Sequence, residues 1–200
     1  PRRPFAAGLL PGSLILKPQR GLMLPIALLA GRQWRAIAGA ALSSIGLLAI
    51  GVAAFGLAAT QAWIGQMPLY VAIGRDGLVG WEKLASVYAA VRQLGFGADL
   101  AFAIHAAVAT FAAWLVYRVW RSDADLLCKG SALAAATILA SPYVFLYDAL
   151  ILIVPFLWLA LKDVRPAVLA VLWFLPIVTI AQIGGAGSSL NLNPVVPIAL

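Results

Sequence analysis

The 200-residue chain is 64% hydrophobic and only 10% charged, with a mean hydropathy of +0.99; soluble domains sit near roughly half apolar and a quarter charged. That balance excludes an ordinary soluble enzyme and identifies an integral membrane protein. The net charge of +7 does not point to nucleic acid, because no basic patch is interleaved with aromatics and the positive-inside bias of membrane loops accounts for the excess.

Apolar segments run, in chain order, over 5–16, 21–30, 36–57, 98–117, 130–140, 149–161, 166–183 and 194–200. A helix needs about 20 residues to span the hydrocarbon. Segments 36–57, 98–117 and 166–183 meet or approach that length. The pairs 5–16 with 21–30, and 130–140 with 149–161, do not, so each pair is expected to form a short helical hairpin. The fold class expected is all-α, a polytopic transmembrane helical bundle with short broken helix pairs. The chain begins at Pro1 and stops inside an apolar run at Leu200. It is expected to be one transmembrane domain, 1–200, from the C-terminal portion of a larger protein, with no cleavable signal peptide.

The basic residues fix an orientation. Arg2, Arg3, Arg32, Arg35, Arg118, Arg121, Lys129, Lys162 and Arg165 all fall on one side if the short pairs are hairpins, and that side is the cytoplasm. The other side then receives "KPQR" (17–20), the long loop 58–97, "SPYVFLYD" (141–148) and "GGAGSSLNLN" (184–193). Pro18 and Pro142 fit as helix breakers or first-turn residues. Within loop 58–97, "WEKLASVYAAVRQLG" places Trp81, Leu84, Ala85, Tyr88 and Val91 at helical spacing, which predicts an amphipathic helix over 81–94 lying on the outer surface.

No CxxC, HExxH, Walker loop or GxSxG occurs, so no metal, cofactor or soluble-enzyme motif is in view. Lone Cys128 excludes an internal disulfide framework. What remains is polar residues in costly places. Lys17, at a hairpin tip, is a compact cation suited to an anionic headgroup or phosphate; the alternative is a lysine snorkelling to the interface. Arg20 shares the choice between phosphate and interface. Gln19 is a candidate for a sugar hydroxyl or for an interhelical hydrogen bond. Asp148 precedes "ALILIVPFLWLAL", where a carboxylate is costly unless paired or solvated; capping the helix is the other use, and Lys17 is a possible partner. Tyr143 and Tyr147 are either interfacial aromatics or contacts to a sugar. His105 lies about 10 Å into its segment by helix rise, as a buried interhelical hydrogen-bond donor or as part of the same cavity. Asn191 and Asn193 are weaker candidates for a polar ligand.

Three stretches carry a family resemblance. "LILKPQRGLMLPIALLAGRQWRAIAGA" resembles the Lys-Pro-Gln region of glycosyltransferase family 87, and "WEKLASVYAAVRQLG" and "LASPYVFLYDALILIVPFLWL" resemble later blocks of that family, in the same order. The resemblance implies a GT-C-like fold and an inverting transfer of a hexose, often mannose, from a polyprenyl-phosphate sugar to a lipid or glycan acceptor. It places the active side at the outer face of the cytoplasmic, or inner, membrane. Lys17 and Arg20 would hold the donor phosphate, with Gln19, Tyr143, Tyr147, Asp148 and His105 around the substrate. Membrane lipids are the other expected partners. The family's general base is an aspartate of the first outer loop, expected to lie upstream of these residues, and Leu146 stands where relatives often carry a polar residue. A transporter or lipid flippase is the alternative, since broken helices with midplane polar groups also serve transport.

Overall fold

The computed structural model describes residues 4–181 and 194–199. Helix α1 (Pro4–Gly12) starts on a proline, whose missing N–H is no loss at a helix start, and carries Pro11 in its last turn. A 3-10 turn, Ser13–Leu16, follows. Proline disfavours helical geometry in the residue before it, and Lys17, ahead of Pro18, is extended (φ −141°, ψ 74°). A second 3-10 turn, Pro18–Gly21, then leads into α2 (Leu24–Ala30). The first short pair is therefore a broken hairpin with Lys17 at the break.

Helix α3 (Trp34–Gly65) runs eight residues past the apolar segment read in the sequence, and Gly56 interrupts it at φ 82°, ψ 159°, a conformation that glycine tolerates. Its first turns pack on α1 without intervening side chains. A Cβ on Gly8 would fall on the Ala36 carbonyl, and one on Gly39 would fall on the Phe5 carbonyl, the close approach that small residues allow between helices in lipid. Ser44 Oγ adds a 2.9 Å hydrogen bond to the Gly12 carbonyl. Farther along, Ile45, Ile50 and Phe55 are exposed, which has no hydrophobic penalty when the surroundings are lipid.

Helix α4 (Met67–Asp76) ends on left-handed Gly77 (φ 73°). The amphipathic helix expected over 81–94 does not form as one unit. Residues Trp81–Lys83 form a 3-10 turn, Leu84 is extended, and the helix α5 covers only Val87–Gln93, capped by Ser86 Oγ, which accepts from the Ala89 N–H at 3.1 Å. Nor does α5 lie free on a surface. Val87, Tyr88, Ala89 and Val91 are buried, and Tyr88 and Val91 share a core with Met23, Ala27, Ala101, Val116 and Leu139. Burial is not confined to the apolar stripe: Leu84 through Ala89 are all buried, Ser86 included, so the segment packs into protein on all sides rather than showing one face to the membrane.

Helix α6 (Ala98–Arg121) is 24 residues long, about 36 Å by helix rise. It and the Trp34–Asp76 stretch are long and apolar enough to cross a membrane. Asp125 caps α7 (Leu126–Ala140), accepting from the Cys128 N–H at 2.7 Å. After the Ser-Pro-Tyr turn comes a 3-10 segment, Leu146–Leu152, then α8 (Ile153–Ala160), α9 (Pro166–Ala181) and α10 (Val195–Ala199). The fold is all-α: among the described residues no strand forms, only an isolated antiparallel bridge between Leu84 and Phe145. The GGAGSSLNLN connection, with Asn191 and Asn193, lies outside the described residues, as do Arg2 and Arg3.

The bundle has two ends. At one, Trp120 packs by Gly31 and donates to the Lys129 carbonyl at 3.1 Å, so the turns bearing Arg32, Arg35, Arg121 and Lys129 neighbour one another. At the other end, one helix length along α7, lie the 141–148 turn, the Leu84 bridge and the Lys17 turn.

Candidate functional site

The two broken pairs meet at Asp148. Its Oδ1 accepts from Lys17 Nζ at 2.5 Å, from Arg20 Nη2 at 2.5 Å and from Arg20 Nε at 3.0 Å. Its Oδ2 accepts from the Phe145 N–H at 3.3 Å, while the Asp148 N–H donates to the Phe145 carbonyl at 2.9 Å. The carboxylate therefore closes its own turn with one oxygen and gathers two cations with the other. Its side chain is 0% exposed, against 28% for Lys17 and 42% for Arg20. The cations form the outer layer and the carboxylate the floor.

Proline chemistry builds this local geometry. Pro18 ends the Ser13–Leu16 turn at Lys17, and the 3-10 turn Pro18–Gly21 brings Arg20 to the same side. In the partner turn, Ala85 N–H donates to the Val144 carbonyl at 2.8 Å and the Leu84–Phe145 bridge fastens the segment before α5 to the Asp148 turn. The sequence reading does not contain this strap; Gly77 and Gly80 (φ 81°), which turn the chain ahead of it, are a local sign of a break there.

Burial raises the affinity of the Asp148 carboxyl for its proton. The hydrogen bonds and charges of Lys17 and Arg20 more than offset that and hold it below its ordinary value. Asp148 is thus an anion at neutral pH, and the cluster of two cations and one carboxylate carries a net charge of +1. Lysine has three N–H donors and arginine five. Three of these eight are directed at Asp148, which leaves donors for a further anion.

Around the cluster, Lys17 Nζ lies 4.5 Å from the centroid of the Tyr147 ring, and that ring stacks on Phe145 at 5.4 Å with an interplanar angle of 6°. Tyr147 is exposed, so a flat aromatic face stands beside the cations. Gln19 is half-buried on the same turn as Lys17. An apolar groove of about 500 Å³ adjoins it, lined in part by Leu14, Pro18, Leu22, Pro25 and Ile37.

Tyr143 and His105 are placed elsewhere. The Tyr143 ring packs against Tyr88 at 5.8 Å and Phe102 at 6.3 Å, and fills the space over Gly74. His105 is buried on α6, where Nε2 donates to the Ala140 carbonyl at 3.2 Å in the last turn of α7. It supports the helix from which the Asp148 turn departs.

A helical membrane bundle with a cation–carboxylate cluster where two interrupted hairpins meet defines a polytopic membrane protein. The profile of glycosyltransferase family 87 matches residues 1–142, and the chain belongs to that family. It is a membrane glycosyltransferase. The match includes Lys17, Gln19, Arg20 and His105 and ends before Tyr143, Tyr147 and Asp148. No curated protein and no solved structure gives a significant match.

Proposed function

We propose that the protein moves a hexose, with mannose the first candidate, from a polyprenyl-phosphate donor to a lipid or glycan acceptor, with inversion, at the extracytoplasmic face of the cytoplasmic membrane. The observation that carries this reading is the net charge of the Lys17–Arg20–Asp148 cluster. A polyprenyl-phosphate sugar is a phosphodiester with one negative charge, and the cluster offers one uncompensated positive charge. The acceptor hydroxyl gives its proton to a base, the general-base aspartate that the family resemblance places upstream. As its oxygen bonds to the sugar's C1, the bond from C1 to the phosphate oxygen breaks, and that bond's electron pair stays on the phosphate oxygen. The leaving group becomes a phosphomonoester with a second negative charge. Donors held in place where charge develops lower the barrier without reorganising, and Lys17 and Arg20 fill that role.

The surroundings fit the rest of the donor. The apolar groove beside Lys17 suits an isoprenoid chain, and the exposed Tyr147 side chain beside the cations suits contact with a sugar. Gln19 is in place for a sugar hydroxyl. Tyr143 and His105 act in this reading through the packing of the turn. The basic turns at the Trp120 end would face the cytoplasm, which puts the cluster outside. The test is donor competition in membranes containing the full-length protein. Sugar transfer from radiolabelled polyprenyl-phosphate mannose, and none from a nucleotide-diphosphate mannose, is the expected result; the reverse preference overturns the reading.

A further inference from the structure

Asp148 is the group that the sequence placed among the substrate contacts, and its geometry argues for another task. Its carboxylate has no exposed surface, one oxygen is committed to Lys17 and Arg20, and the other to the Phe145 N–H. A substrate approaching from the open side meets the two cations first. We propose that Asp148 is a positioning residue: it fixes the Lys17 ammonium and the Arg20 guanidinium in the geometry that receives the donor phosphate, and it does not touch the substrate. This deepens the donor-phosphate reading and rests on it.

The physical argument is one of order and charge. Lysine and arginine side chains are long and lose considerable rotamer freedom when held. Lys17 comes from an extended residue and Arg20 from a 3-10 turn, and neither is held by a helix's own packing. A carboxylate bonded to both removes that freedom before the substrate arrives, which is preorganisation. The shared carboxylate comes from α7–α8, so the donor site exists only when the two hairpins are docked. It also lowers the charge presented to the donor from +2 to +1, which keeps the product phosphate from being held too tightly for release.

This predicts a split in kinetic constants that a substrate contact or a purely structural residue would not give. In the full-length enzyme, Asp148→Asn removes the ordering charge and leaves both cations in place. Donor KM is expected to stay the same or fall, since the site becomes more positive, while kcat falls by about tenfold to a hundredfold. Lys17→Ala, by contrast, raises donor KM. Inorganic phosphate is expected to inhibit Asp148→Asn more strongly than wild type. A rise in donor KM in Asp148→Asn, or kcat and KM both unchanged per folded enzyme, overturns the proposal. If Asp148→Asn does not fold, Asp148→Glu decides. It keeps the charge and shifts the carboxylate by one methylene, so kcat per folded enzyme is expected to fall with donor KM unchanged. A rise in donor KM or an unchanged kcat overturns the proposal. Loss of the Lys17→Ala effect itself would instead fail the donor-phosphate reading.

Discussion

Lys17 and Asp148 are 131 positions apart in sequence and 2.5 Å apart in space. Their contact, with Arg20 as third member, joins the first broken hairpin to the second. The same contact serves stability and the proposed chemistry, and the two can be separated by experiment.

Removing both cations isolates the stability part. In Lys17→Met/Arg20→Met the Asp148 carboxylate stays buried without a counter-ion. Stripping a buried charge of its partners costs about 3–5 kcal/mol, so unfolding of the variant in detergent at neutral pH is expected to shift by about 3 kcal/mol. The pH dependence has a defined sign. In the wild type the carboxyl sits below its ordinary value of 3.8; its contribution is complete above that value and is lost as pH falls through the depressed one. In the variant the lowering by Lys17 and Arg20 is gone while burial, the largest influence, still raises the carboxyl, so protonation relieves the cost. The gap between wild type and variant should therefore narrow on acidification. Denaturation at neutral and acid pH checks this; a gap that widens contradicts it.

The strap is the second target. Ala85→Pro deletes the N–H that reaches the Val144 carbonyl at 2.8 Å and leaves that acceptor unpaired, at a cost of about 1–3 kcal/mol. The expected result is faster backbone hydrogen exchange over residues 141–148 together with reduced sugar transfer. Unchanged exchange in that turn would show that the strap does not hold it.

The α1–α3 contact makes the third. Gly39→Val places carbon against the Phe5 carbonyl and Gly8, and overpacking of this kind costs about 1–3 kcal/mol. Gly46 lies on the same helix with nothing within 4 Å of a built Cβ, so Gly46→Ala should cost nothing or gain up to about 1 kcal/mol from helix propensity. Melting temperatures of the two variants decide; equal shifts would mean that the close contact is not what holds α1.

Much of this was legible in the sequence, and for identifiable reasons. Hydropathy located the helices because lipid imposes a length, and the two short pairs stood out because 12 apolar residues do not reach across. Proline marked the break at Lys17. The pairing of Lys17 with Asp148 was open as a possibility because an unpaired carboxylate beside an apolar run is costly, but no local rule fixes a contact across 131 positions. Arg20 reaching the same oxygen could not be read at all. The 81–94 stretch failed for a different reason. Its apolar stripe has helical spacing, but spacing does not say whether the stripe faces lipid or protein. The Leu84–Phe145 bridge also pulls its first residues into an extended form that periodicity cannot show. His105 was read as either a buried donor or a cavity group, and its bond to the Ala140 carbonyl is of the first kind.

The most direct test of the central claim is sugar transfer by the full-length enzyme carrying Lys17→Ala/Arg20→Ala, assayed with radiolabelled polyprenyl-phosphate mannose and normalised to folded protein. If these two side chains hold the departing phosphate, transfer drops by at least about a hundredfold while the helical bundle persists. Transfer at the wild-type rate from a folded double variant would contradict the account.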